Sequence, residues 1–257
     1  MKPLSALEAR GVRGVLLDID DTLTTDGTLT SAAYSALERL HTAGKLVVPV
    51  TGRPAGWCDH IARMWPVDAV VGENGAFYFF RAAGRLERRY ADPPEVRREK
   101  RRRLAALAES ILHAVPGAAV AADQAYRETD VAIDYCEDVP ALPLEQAERI
   151  AGLMRAAGLT AKVSSIHVNG WLGDYDKLAM TRQLFAERFG LDLDVANASL
   201  VYVGDSPNDA PMFGFFENSV AVANVRRFAG RLAAEPKFVT RASAGAGFAE
   251  LVQHLLA

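Results

Sequence analysis

Three short apolar runs in this chain each end in a loop of chemically active residues, and that pattern restricts the fold more than any other feature. Gly14-Val15-Leu16-Leu17 leads into Asp18-Ile19-Asp20-Asp21-Thr22, Lys45-Leu46-Val47-Val48-Pro49-Val50 into Thr51-Gly52-Arg53, and Ser199-Leu200-Val201-Tyr202-Val203 into Gly204-Asp205-Ser206-Pro207-Asn208-Asp209. Helical patterns separate neighbouring runs. The first spans 31 to 44, with Thr30 or Ser31 as N-cap, Tyr34, Leu37 and Leu40 at helical spacing and Gly44 as the stop. Strands alternating with helices predict right-handed βαβ units, so the fold class is α/β with a doubly wound parallel sheet. In such sheets ligands bind just beyond the carboxyl ends of the strands, where all three loops fall.

Asp18 and Asp20 stand two apart at a strand end, so their side chains share a face while Ile19 points into the core. Such carboxylates repel unless one is protonated or a cation sits between them, and an all-oxygen ligand set favours a hard divalent ion such as Mg2+. Asp and Thr are also ordinary turn residues, so this pair alone leaves a solvated turn open. Thr51 offers a hydroxyl donor, and Gly52 allows close approach of the backbone. Lys177 opens a helical pattern over 176 to 189, with Asp174 and Asp176 as N-cap candidates. By itself it reads as an exposed helix lysine.

Together these residues resemble the haloacid dehalogenase (HAD) superfamily of phosphohydrolases. Its four motifs are a DxDx[TV] loop, a Ser or Thr after a second strand, a Lys, and an acidic GDxxxD-type loop. All four occur here in the family's order. The resemblance implies a Rossmann-like core and an aspartyl-phosphate mechanism, with Asp18 as nucleophile and Asp20 as general acid and then base. It also implies Mg2+ held by Asp18, the backbone carbonyl of Asp20 and Asp205, with Asp209 as ligand or supporting group. Thr51, Gly52, Arg53 and Lys177 would then bind the phosphoryl group. Asn74 is a further substrate contact by family position.

The middle of the chain reads differently. Ala76-Phe77-Tyr78-Phe79-Phe80 turns through Gly84 like a hairpin, followed by a helix over 94 to 115, a strand over 130 to 135, a helix over 144 to 157 and a strand over 160 to 168. The expected organisation is a catalytic core of 1 to 81 and 173 to 257 with an α+β unit of 82 to 172 inserted at its catalytic edge. Its position between the second and third motifs resembles a C2-type cap of the Cof, sucrose-phosphatase and trehalose-phosphatase kinds. Arg127 is the first choice in this unit for reading the substrate. His167 and Asn169 are read as structural or surface groups, and Trp57, Trp65 and Trp171 as packing residues.

With 257 residues, half of them hydrophobic, and a net charge of −3, the chain can bury a substantial core and gives no general reason to expect nucleic acid or an anionic membrane as partner. Residues 81 to 104 carry ten Arg or Lys against four Asp or Glu, which reads as a solvated helix face. No apolar run reaches the roughly 18 residues that span a bilayer, and no secretory leader is apparent in the first residues, so the expectation is a cytoplasmic protein without a membrane partner. Cys58 and Cys136 form no metal-binding or redox spacing. The reading is a Mg2+-dependent phosphatase for a small phosphorylated metabolite, a sugar or polyol phosphate. A phosphomutase of the phosphomannomutase kind and a catalytically silent regulatory protein stay open, as does the oligomeric state.

Overall fold

A computed structural model describes residues 1–257. The chain opens with a short strand β1 (Lys2–Pro3), then β2 (Gly14–Leu17), helix α1 (Ser31–Thr42), β3 (Leu46–Pro49), α2 (Ala55–Met64) and β4 (Val70–Gly72). A hairpin of β5 (Phe77–Ala82) and β6 (Arg85–Tyr90) follows and pairs antiparallel onto β4. Next come α3 (Pro94–Ala114), β7 (Ala119–Val120), β8 (Asp130–Asp134), α4 (Leu144–Ala156), β9 (Thr160–Val163) and β10 (His167–Trp171). The chain closes with α5 (Lys177–Leu184), α6 (Leu193–Ala196), β11 (Leu200–Gly204), α7 (Ala210–Phe215), β12 (Asn218–Ala221), β13 (Phe238–Val239) and α8 (Ala244–Leu255).

The main sheet is parallel throughout, in the order β1-β13-β12-β11-β2-β3, with a bridge from Val50 to Val71 leading on to β4. Its central strands β2, β3 and β11 read as continuous apolar runs because both faces are covered. Val15 and Leu17 of β2 join Val47, Val201 and Val203 against Leu37 and Leu40 of α1 and Phe248 and Leu251 of α8. Leu16, Val48 and Tyr202 point the other way, against Met180 and Leu184 of α5 and Phe213 of α7. The alternation of side chains along a strand thus builds three layers from one short sequence run.

The second sheet is antiparallel, in the order β7-β8-β10-β9, and α3 and α4 cover it through Leu104, Ile111, Ile150 and Met154. The expected strand over 160 to 168 is in fact a hairpin. Ser164 accepts hydrogen bonds from the amides of Ile166 and His167 and donates to His167 O, closing a turn that separates β9 from β10. A serine that satisfies nearby backbone in this way competes with a continuing strand. The expected helix to residue 189 ends its regular part at Leu184 and continues as a single wider turn over Phe185–Phe189 before Gly190 takes the left-handed conformation.

Candidate active site

The three sheet loops and the start of α5 meet at one point. Asp18 emerges from β2 with its amide bonded to Val203 O on β11 at 2.9 Å, which ties the first acidic loop to the last. Asp176 caps α5 by accepting from Ala179 N at 2.7 Å. That cap fixes the first turn, so Lys177 projects inward rather than into solvent. Its Nζ lies 2.8 Å from Asp18 Oδ1 and 2.7 Å from Asp209 Oδ1, and all three side chains are buried. Asp209 Oδ1 also accepts from the Tyr202 hydroxyl at 2.5 Å, while its Oδ2 accepts from the amides of Asp205 and Ser206 at 3.0 and 3.2 Å. Asp205 Oδ2 takes hydrogen bonds from Asn224 at 2.9 Å and Arg227 at 3.4 Å. Asp205 Oδ1, although buried, has no partner.

Carboxylate oxygens of Asp18, Asp205 and Asp209 lie within 4.8 Å of one another. Burial pushes the Asp18 carboxyl up to about 8 against the opposing pull of Lys177, with Asp209 and Asp20 adding repulsion. Burial, then the charges of Asp209 and Asp18, push Asp205 well above the usual carboxylate range. Lys177 moves the other way from what burial alone would do, because Asp18 and Asp209 hold its charge. With one buried lysine, and Arg227 reaching Asp205 from the surface, full ionisation of the three carboxylates would leave an excess of negative charge. A hard divalent cation fits this donor set, and the orphaned Asp205 Oδ1 is the atom that most needs it.

Thr51 is buried, and its hydroxyl accepts from Arg53 N at 3.0 Å, which leaves the hydroxyl hydrogen free to donate. Gly52 lies against Asn74, whose Nδ2 is buried without a partner. Asp18, Asp20, Gly52, Arg127, His167, Asn169 and Asn208 line one small enclosed cavity between the two sheets. Asp20 is gripped by Arg53, whose Nε sits 2.9 and 3.0 Å from its two carboxylate oxygens. Arg127 is fully buried and donates to Asp123, Asp130 and, across the junction, to Gly52 O at 2.9 Å. His167 and Asn169 are buried at this junction rather than on a surface, and Asn169 donates to Asp130 Oδ2 at 3.0 Å. Trp57 is half-exposed and stacks on the Arg53 guanidinium 4.3 Å away, so it is not a core residue.

Four participants escape the sequence reading. Tyr202 looks like a strand hydrophobe, yet a hydroxyl in a fully buried strand needs a partner, and Asp209 is it. Asn224 and Arg227 follow β12, the next strand edge, so the rule that placed the other loops at strand ends could have found them. Glu73, in the turn after β4, is wholly buried with φ +42° and accepts from Ala55 N on α2 and from the amides of Glu128, Thr129 and Asp130.

Residues 15–93 match the family model for haloacid dehalogenase-like hydrolases. Solved structures agree over nearly the whole chain. The chain has the haloacid dehalogenase-like fold. Thermoplasma acidophilum 0175 superposes with a TM-score of 0.71 at 18% identity, covering 95% of this chain and 98% of that one. The C-terminal domain of C. albicans trehalose-6-phosphate phosphatase gives 0.70 at 13% identity over 99% and 98% of the two chains. The sucrose-phosphatase of a Synechocystis species, solved with sucrose and phosphate, gives 0.61 at 14% identity over 95% and 98%. No curated protein sequence matches. No helix of the chain is long and apolar enough to cross a membrane.

Proposed function

We propose that the chain is a Mg2+-dependent phosphatase that hydrolyses a small phosphate monoester, a sugar or polyol phosphate, through an aspartyl-phosphate. The observation that carries this reading is Lys177 Nζ between Asp18 and Asp209, beside the unpartnered Asp205 Oδ1. A phosphate monoester resists nucleophiles because it is itself anionic, so a catalyst must neutralise its oxygens, align the attacking group and protonate the leaving oxygen.

Asp18 attacks phosphorus as the bond to the leaving oxygen breaks, and Asp20 gives that oxygen its proton. Asp20 then takes a proton from the water that displaces Asp18 and releases inorganic phosphate. Lys177 and the Thr51 hydroxyl hold the phosphoryl oxygens. Asp18 and Asp205 would hold the cation, which supplies charge neutralisation at the phosphoryl group. A cleft of about 340 Å3, lined by Asp20, Asp21, Arg53, Glu137 and Arg227, adjoins Asp20 and offers room for a leaving group. A larger cavity, about 510 Å3, lies among residues such as Arg13, Lys45 and Asp192, away from the carboxylate cluster, and carries no comparable chemistry. The trehalose-6-phosphate and sucrose phosphatases that share the fold support the sugar or polyol class.

Phosphate release from a panel of phosphorylated metabolites with Mg2+ tests the reading. The wild type should turn over at least one small monoester and Asp18→Asn none. Failure on every monoester, or a shift of phosphate between positions of a sugar without release, would exclude it.

A further inference from the structure

Arg53 presents five N–H donors, and carboxylates take them all. Nε and one terminal nitrogen grip Asp20, at 2.8 to 3.0 Å. The same terminal nitrogen reaches Glu137 Oε1 at 2.6 Å, and the other reaches Asp123 Oδ2 at 3.2 Å and Glu137 Oε2 at 3.5 Å. Asp20 belongs to the parallel-sheet side, whereas Asp123 and Glu137 lie on two separate loops of the inserted sheet. The guanidinium side chain is 4% exposed and Trp57 stacks on it. No donor remains for a phosphoryl oxygen. Asp20 Oδ1 receives two of the hydrogen bonds and Oδ2 one, so Oδ2 keeps the freer side of the carboxyl.

We infer that Arg53 is a positioning residue, which fixes the orientation of the Asp20 carboxyl and makes that orientation depend on the inserted sheet being seated on the core. The inference rests on the phosphatase reading. A planar fork held on both sides transmits orientation in a way that a point charge on a flexible stem does not. Arg53 acts only through Asp20. The step it governs is therefore proton delivery: the Asp20 proton moves to the bridging oxygen while that oxygen's bond to phosphorus breaks and the Asp18 oxygen to phosphorus bond forms.

Leaving groups separate this role from simple support or phosphate binding. An alkoxide needs a proton to depart, whereas nitrophenolate leaves without one. In single-turnover experiments Arg53→Lys should slow alcohol release from an alkyl phosphate on the order of 100-fold, the lower range for a lost general acid. Nitrophenol release from p-nitrophenyl phosphate should change little. Glu137→Gln, a milder change at a half-buried side chain, should shift the alkyl-to-aryl ratio in the same direction by a smaller factor. Equal losses on both esters in Arg53→Lys, or a rise in KM alone, would overturn the inference. An unchanged ratio in Glu137→Gln would overturn the dependence on seating. If the wild type turns over neither ester, the phosphatase reading falls and this one with it, whereas wild-type turnover with equal losses removes only the role of Arg53.

Discussion

Asp209 and Asp205 stand four residues apart on one loop, yet only Asp205 keeps a free oxygen. Both oxygens of Asp209 are occupied, by Lys177, Tyr202 and the amides of Asp205 and Ser206, whereas Asp205 Oδ1 has no partner. A group with its lone pairs engaged orients its neighbours, and one with an open oxygen can enter a coordination shell.

Different losses should therefore follow at the two positions. Asp205→Asn should abolish Mg2+ binding measured by calorimetry. Asp209→Asn should weaken it about 10- to 100-fold, the range for a supporting partner of a metal ligand, and should destabilise the fold by leaving Lys177 with one partner. Equal loss of binding in the two variants would show that Asp209 is itself a ligand.

The same cluster sets a pH dependence. Without a cation, Asp18 holds its proton up to about 8, with burial the largest cause, and Asp205 is shifted in the same direction. The native state then binds protons that the unfolded chain releases above the ordinary carboxylate range. Stability is full below that range and is lost as pH rises toward 8. A divalent ion bound there would replace those protons. Thermal melts with Mg2+ and with chelator should diverge more at about pH 8 than at about pH 6. A Mg2+ shift of equal size at both, or one retained in Asp205→Asn, would place the ion elsewhere.

Glu73 should behave as the main tie between the two sheets. Its carboxylate accepts from Glu128 N at 2.9 Å, Thr129 N at 2.6 Å and Asp130 N at 3.3 Å, and from the Thr129 hydroxyl. Glu73→Ala orphans these donors together with the α2 amide of Ala55, and each buried donor left unpaired costs ~1 to 3 kcal/mol where water cannot replace the acceptor. A net loss of about 3 to 5 kcal/mol is expected in denaturant unfolding, comparable to breaking a buried charged pair. Hydrogen exchange should speed up at the amides of 128 to 130 before the main sheet opens. Retained protection there would show that other contacts seat the inserted sheet.

The sequence made the centre of the parallel sheet legible because β2, β3 and β11 are each a continuous apolar run ending in a polar loop, and the motif carboxylates sit where β2 and β11 stop. Motif order, and not its own surroundings, singles out Lys177 in the sequence, and only the fold shows it reaching Asp18 across 159 positions. Tyr202 and Glu73 were opaque for a physical reason. A buried hydroxyl and a buried carboxylate need partners brought by tertiary structure, and neither partner is visible in local periodicity. Arg53 shows the converse limit, since a TGR loop identifies the arginine but not which of its neighbours will occupy its donors. The hairpin at Ser164 is hidden in the sequence because polar and apolar residues alternate on both sides of the turn.

Gly75 joins the fold to the chemistry at a position where only hydrogen fits. Glu73, Asn74 and Gly75 have φ of +42°, +54° and +105° in succession, so the turn after β4 runs through the left-handed region. A Cβ on Gly75 would lie 2.0 Å from Asp176 O and 2.8 Å from Lys177 N, which is backbone that cannot rotate aside. Gly75→Ala must therefore push the start of α5 away from β4, taking Lys177 with it, and it also strains the turn itself. Stability should fall by more than about 2 kcal/mol, and phosphoryl transfer should fall more steeply than substrate binding, because Lys177 loses its place beside Asp18. Gly84→Ala, at φ +78° in the open β5–β6 turn with no atom within 4 Å of the added Cβ, is the control. It carries comparable backbone strain without displacing Lys177, so kcat should be preserved. Similar kinetic losses in both variants would mean that strain, and not the displacement of α5, is responsible.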